Sequence, residues 1–391
     1  MKIFMVHFMK FAGIAGGLER LLCNLSSAMS RRGHDVYILT YDENMGGPFY
    51  PLDPAVRLVN LWQVRHEPPR MPLLKKIGRE MTRFRGPQAM AGWYERYRAA
   101  YIVPEAKNLF DRIQPDVILV YKHNSSWLVS QFSGRCPVIQ LCRNDPRTRF
   151  PEMSDGQREA ISHAALIQAL TPHFQRMLQE AFPHTETVCI PNAVPQFARH
   201  ADLSAEKKTY TVLCTGRLTR ESKRQHLLIE AFARLADEFP AWHVDIWGDG
   251  KEEYKRQLRD QITKLHLEGR VFLRGTTKQI YQEYPKADLF AFPSAFEGFP
   301  NAMAEAMSAG LPVAAFASCS GVNEILRDGE TGFLTADGAE AFADGLRKLM
   351  ANRELRAVMG AAAARDMARF APEKIWDLWE NMLERAAERK K

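Results

Sequence analysis

Thirteen short apolar runs, most of them followed by a stretch of helical periodicity, leave this 391-residue chain few folds to choose from. The first seven are Ile3–Phe8, Asp35–Thr40, Val56–Leu61, Asp116–Tyr121, Val138–Leu141, Ala165–Leu170 and Thr187–Ile190. Strands that alternate with helices of roughly 10–15 residues imply βαβ units and a parallel sheet. The runs are continuously apolar rather than alternating, which fits strands covered on both faces. After Ile190–Phe197, which carries two prolines, and the polar stretch His200–Lys208, the pattern restarts with Tyr210–Cys214, His243–Trp247, Val271–Leu273, Asp288–Phe292, Pro312–Phe316 and Gly332–Leu334. One core seldom serves so long a chain. The expected architecture is α/β: two doubly wound, Rossmann-like domains over 1–195 and 196–371. A final helix over 372–391, with Trp376 and Trp379, is expected to cross back to the first domain.

Several classes drop out on composition. No window of 18 apolar residues offers a membrane span, and the first apolar run reads as a strand rather than an export signal. Cysteines 23, 136, 142, 189, 214 and 319 form no zinc-type spacing and read as reduced thiols of a cytoplasmic protein. The net charge of +7 is concentrated between Arg65 and Arg98, where nine Lys/Arg face three Glu. Within that segment Pro72 opens and Gly86-Pro87 closes a helical stretch. Leu73, Ile77, Met81 and Phe84 form its stripe, flanked by Lys75, Lys76, Arg79 and Arg83. A basic amphipathic helix suits an anionic membrane surface or a pyrophosphate. It also suits an ordinary solvated face. No nucleic-acid-binding module accompanies the charge, so nucleic acid is not an expected partner.

In doubly wound sheets, ligands bind beyond the carboxyl ends of strands, and the distinctive residues fall there. Phe11–Arg20 holds Gly16 and Gly17 at a helix start, where bare backbone lets a phosphate approach. The order is not G-x-G-x-x-G, so the dinucleotide fingerprint is absent. Arg217 and Lys223 lie between a strand end and a helix start, as a pyrophosphate clamp would. The run Ala287–Gly310 ends a strand at Phe292-Pro293 and turns through Glu297, Gly298, Phe299 and Pro300. It then opens a helix near Asn301, an acceptable N-cap, with Glu305 two turns from Glu297. Helix amides would take phosphate oxygens, while the carboxylates would accept hydroxyl protons from a sugar.

Phe-Pro-Ser-x-x-Glu-Gly-Phe-Pro with Glu297 and Glu305 resembles the signature of the GT-B retaining glycosyltransferases of family 4. Further likenesses follow in order. They are Gly16–Arg20 (N-terminal glycine loop), Ile190–Asn192 (linker), Gly216–Leu218 with Lys223 (phosphate-binding pair), Trp247–Gly250, Val271–Gly275 and Gly329–Leu334. Two departures stand out: Arg224 follows Lys223 where the family often has glycine, and Ala193 follows Asn192.

The resemblance implies a hexosyltransferase of cell-surface glycan assembly. A nucleotide sugar, UDP-linked by default, is held mainly by the second domain. Arg217 and Lys223 would stabilise the leaving diphosphate, and Glu305 would bond the ribose. Glu297 and the amides of Gly298, Phe299 and Asn301 would hold sugar and phosphate, while Gly16 and Gly17 would let the first domain close over the donor. The departing phosphate would help deprotonate the acceptor, so no protein nucleophile is required. His123 matches a family histidine placed near the sugar. Arg143, Asn144 and Asp145, at another strand end, are acceptor-side candidates. No Asp-x-Asp ends a strand, so no metal or other cofactor is expected. The acceptor would be a glycan, lipid-linked in related bacterial enzymes, reached from the cytoplasmic face through segment 65–98. Three alternatives stay open. A GT-B-like epimerase would need no acceptor, and a non-catalytic sugar-nucleotide binder would do no chemistry. A pyridine-nucleotide oxidoreductase would need an acid after the second strand, where Asp42 is the one loose candidate.

Overall fold

The computed structural model describes residues 1–68 and 70–388. All thirteen expected strands form, with ends shifted by a residue or two. They are β1 (Lys2–His7), β2 (Asp35–Thr40), β3 (Arg57–Asn60), β4 (Val117–Val120), β5 (Val138–Leu141), β6 (Leu166–Ala169), β7 (Thr187–Cys189), β8 (Tyr210–Thr215), β9 (Trp242–Trp247), β10 (Val271–Gly275), β11 (Leu289–Phe292), β12 (Val313–Phe316) and β13 (Gly332–Thr335). They build two sheets, ordered β3-β2-β1-β4-β5-β6-β7 and β10-β9-β8-β11-β12-β13. Every pairing between these strands is parallel.

Burial explains the uninterrupted apolar strands. All four residues of β4, β6, β11 and β12 are buried. Helices lie against both faces, so neither face can alternate with polar residues. Order reverses between β1 and β4 in the first sheet, and between β8 and β11 in the second. There successive crossovers depart to opposite faces and leave a crevice at the carboxyl edge. The loops after β1, β4, β8 and β11 carry most of the residues singled out from sequence.

Two compact units result. One comprises Met1–Asn192 and the chain from Ile375 onward, the other Ala193–Lys374. The final helix, Pro372–Glu388, buries Ile375, Trp376, Trp379, Met382 and Leu383. Its outer side is tied to the first unit by Arg32, which bonds Glu380 at 2.7 Å and Asp377 at 2.8 Å. Residues 389–391 of the expected helix lie outside the described residues. All six cysteines are free thiols.

At the end of β1, His7 is 1% exposed; neither ring nitrogen has a hydrogen-bond partner among the described residues, and the Glu19 carboxylate lies 3.8 Å from Nε2. Burial, helped by nearby Lys122, lowers its pKa from 6.5 to about 4. The unfolded chain therefore binds a proton that the folded chain refuses between those values. Stability rises with pH wherever the unfolded state holds more protons. His7 should make the protein lose stability as pH falls from 6.5 towards 4. The drop in urea-unfolding midpoint from pH ~7 to ~5 should be smaller in His7→Gln; an equal drop would assign the loss to other groups.

Candidate active site

In the second unit, the β8 loop folds tightly against the β9 loop. A Cβ on Gly248 would lie 1.9 Å from the Gly216 carbonyl, so only glycine fits. The buried Gln225 side chain donates to the Arg217 carbonyl at 2.9 Å, and the Ala295 amide donates to the Ser222 carbonyl at 2.8 Å. These bonds join the β8 and β11 loops. Lys223 and Glu297 meet across them: the ammonium donates to the Glu297 carboxylate and lies 5.3 Å from the centre of the Phe292 ring. The Arg217 side chain is exposed and makes no hydrogen bond or ion pair among the described residues. Arg224 adopts φ +50°, the left-handed region that favours glycine. That conformation accounts for glycine in the related motif; here Arg224 bonds Asp337 at 3.1 Å instead.

The helix after β11 spans Asn301–Ser308 and starts one residue earlier than a capping asparagine would place it. Pro300 is the N-cap, with no side-chain cap, and the Asn301 amide donates to the Phe299 carbonyl at 2.8 Å. Asn301 thus spends its amide locally. The amides of Gly298, Phe299, Ala302 and Met303 make no hydrogen bond among the described residues, which leaves a short arc of donors. Phe299 can contribute only backbone, because its ring is buried against Phe370. Glu305 is 5% exposed and accepts a hydrogen bond from the Tyr284 hydroxyl at 2.9 Å. That hydroxyl also lies 3.1 Å from the Thr215 hydroxyl, at the end of β8. Nothing in the spacing around Tyr284 marks it; it is recognisable only once the fold brings a distant connection under the helix.

In the first unit, the loop after β1 is pinned by Asp42. Its buried carboxylate accepts from the amides of Phe11 at 2.6 Å, Ala12 at 2.8 Å and Asn44 at 2.9 Å. Burial raises its pKa, but the three amide bonds outweigh burial and hold it below the ordinary carboxylate value. A carboxylate so occupied is not presented to a ribose. Gly16 is the N-cap of the helix Gly17–Arg31, and a Cβ there would sit 1.9 Å from Glu19 Oε2. Gly17 faces open space, so its missing side chain serves no internal packing.

Beyond β4 and β5 lies a cavity of about 270 Å³, and His123, Arg143 and Asn144 are among its lining residues. Asp145 is engaged otherwise. It caps the turn Pro146–Arg149 through the Arg147 amide at 2.9 Å and pairs with the Arg147 guanidinium at 2.7 Å. Among the described residues, no group of three or more His, Cys, Asp or Glu could hold a metal ion.

The family model for glycosyl transferases group 1 matches residues 196–366, and that for glycosyltransferase family 4 matches residues 15–196. The two matches meet at the linker and carry the motif loops of both units. The chain belongs to the family 4 glycosyltransferases.

This glycosyltransferase is 27% identical to the amylovoran biosynthesis glycosyltransferase AmsD of Erwinia amylovora, over 94% of this chain and 96% of the relative. It is also 27% identical to an exopolysaccharide phosphotransferase of Streptomyces coelicolor over 94% of this chain, but spans only 39% of that relative's length. The fold is GT-B. A pneumococcal O-GlcNAc transferase, GtfA, solved with UDP and GlcNAc, superposes with a TM-score of 0.78 at 13% identity, covering 99% of both chains.

The Tyr284–Glu305 bond gives the glycosyltransferase a measurable coupling. Tyr284→Phe removes a hydrogen bond from a buried carboxylate and should destabilise by about 1–3 kcal/mol. In a double-mutant cycle with Glu305→Gln, urea unfolding should show a coupling of roughly 0.5–3 kcal/mol. Additive effects would separate the two side chains.

Proposed function

We propose that this glycosyltransferase moves a hexose or N-acetylhexosamine from a UDP-sugar, with retention, to a membrane-associated glycan acceptor in cell-surface polysaccharide assembly. One observation carries the donor side. Two cationic side chains, two carboxylates and an arc of unbonded amides belong to the β8 and β11 loops and the helix behind them, at the order reversal of the second sheet. Arg217 and Lys223 take the diphosphate and stabilise charge as it leaves; Glu305 takes the ribose; Glu297 and the Gly298 and Phe299 amides take the sugar. Fixed cations there do the electrostatic work of catalysis, and the reaction needs no metal. Lys223 and Glu297 neutralise each other without ligand, so diphosphate binding redirects Lys223 and releases Glu297 to a sugar hydroxyl. The GtfA likeness, through a structure titled with UDP and GlcNAc, supports the UDP assignment. His123, Arg143 and Asn144 face the acceptor.

Calorimetry with UDP, GDP and ADP, without added metal, tests the donor site. Selective UDP binding, unchanged by EDTA and weakened roughly tenfold or more in Arg217→Ala, is the expected result. Binding indifferent to Arg217 would remove the clamp.

The basic segment supplies the membrane side. Helix Leu73–Arg83 has no buried residue. Its Gly78 lies beside Trp93, whereas Leu73, Leu74, Ile77, Met81 and Phe84 face solvent, with Leu74 83% and Phe84 90% exposed. Lys75, Lys76, Arg83 and Arg85 are exposed beside them. Arg98 is instead drawn inward to the Phe8 carbonyl at 2.8 Å, so the charge focuses on this helix. Large apolar side chains turned outward among cations suit an anionic bilayer surface, as a peripheral contact on its cytoplasmic face. Among the described residues, no helix is long and apolar enough to cross a membrane. The protein should co-sediment with phosphatidylglycerol vesicles and less with phosphatidylcholine vesicles, and salt should weaken binding. Leu74→Glu with Phe84→Glu should abolish it; unchanged sedimentation would return the helix to an ordinary surface.

A further inference from the structure

The cavity beyond β4 and β5 holds a cation, Arg143, that forms no ion pair among the described residues. The Arg143 guanidinium lies 5.5 Å from the centre of the Tyr121 ring and 5.4 Å from that of Trp379. One Nη donates to Asn192 Oδ1 at 3.0 Å, and the Tyr121 hydroxyl also favours the charged guanidinium, while Nε is buried with no acceptor among the described residues. Among the described residues, no carboxylate forms an ion pair with it, and the nearest in sequence, Asp145, is committed to Arg147. Burial weighs against the Arg143 charge. The aromatic faces offset part of that cost and fix the plane of the guanidinium. A buried cation ordinarily has a hydrogen-bonded anion. Lys122 and His123 line the same cavity, where Glu152 is the one carboxylate among the lining residues. Leu141, Met153, Ile167 and Leu178 form an apolar part of the lining.

We propose that Arg143 is an anion receptor. It takes a phosphate or diphosphate ester of the acceptor, and the apolar lining takes the chain attached to that ester. A planar fork with an unused Nε suits two phosphate oxygens better than a sugar hydroxyl, which needs no charge. The inference rests on the acceptor-side reading of this cavity and narrows it from glycans in general to those carried on a phosphate.

The test uses the full chain saturated with UDP, so that the donor site is filled. Binding of geranyl diphosphate, inorganic pyrophosphate and geraniol is measured by calorimetry. Geranyl diphosphate should bind, pyrophosphate more weakly, and geraniol not measurably. Arg143→Gln should weaken geranyl diphosphate by roughly 10- to 100-fold, and Arg143→Lys should recover part of that loss. UDP affinity, unchanged in both variants, would certify the fold. Equal affinity for pyrophosphate and geranyl diphosphate would keep the anion receptor and overturn the apolar lining's part. If UDP binds but neither phosphate probe does, or if Arg143→Gln binds geranyl diphosphate like the wild type, the proposal fails and the donor assignment stands. Failure of UDP itself to bind would overturn the donor reading instead.

Discussion

Parallel strands need crossovers of one hand, and that constraint organises each unit of this glycosyltransferase. Where strand order reverses, between β1 and β4 and between β8 and β11, successive helices leave on opposite faces and the carboxyl edge opens. The loops there lie outside the sheet and are where such folds carry chemistry. Their shape is then fixed by short-range bonds: Asp42 holds the loop after β1, Gln225 holds the loop after β8, and the Ser222 carbonyl ties that loop to the one after β11.

The fold was legible because burial on two faces writes itself as continuous apolar runs, and each run proved to be a strand. The positions of Arg217, Lys223 and Glu297 in the loops after β8 and β11 were legible because strand ends and glycines flank them. Three features were not. Tyr284 reaches Glu305 from a connection with no periodicity, so only folding reveals the contact. Asn301 reads as a cap, but the turn through Pro300 moves the helix start onto it. Asp145 reads as a ligand, yet Arg147, two residues away, already holds it. Local side-chain pairing of this kind competes with ligand binding and leaves no mark on spacing.

Electrostatics divide the two units' sites. In the second unit, Lys223 has its counter-charge in Glu297, the pair that the proposed donor reading requires a diphosphate to break. In the first, Arg143 lies between aromatic rings and forms no ion pair among the described residues. One arrangement places its charge in an internal pair; the other places it between rings.

The return of the chain at Ile375 makes the second unit an insertion within the first. On the ribosome, Ala193–Lys374 is synthesised whole before the helix that supplies Trp379 exists. The first unit, begun earlier, is finished later: Arg32 and Arg143 wait for partners more than 200 residues downstream. A chimera that exchanges everything after the linker therefore replaces part of both units. An exchange that respects the fold cuts twice, at Asn192 and at Ile375.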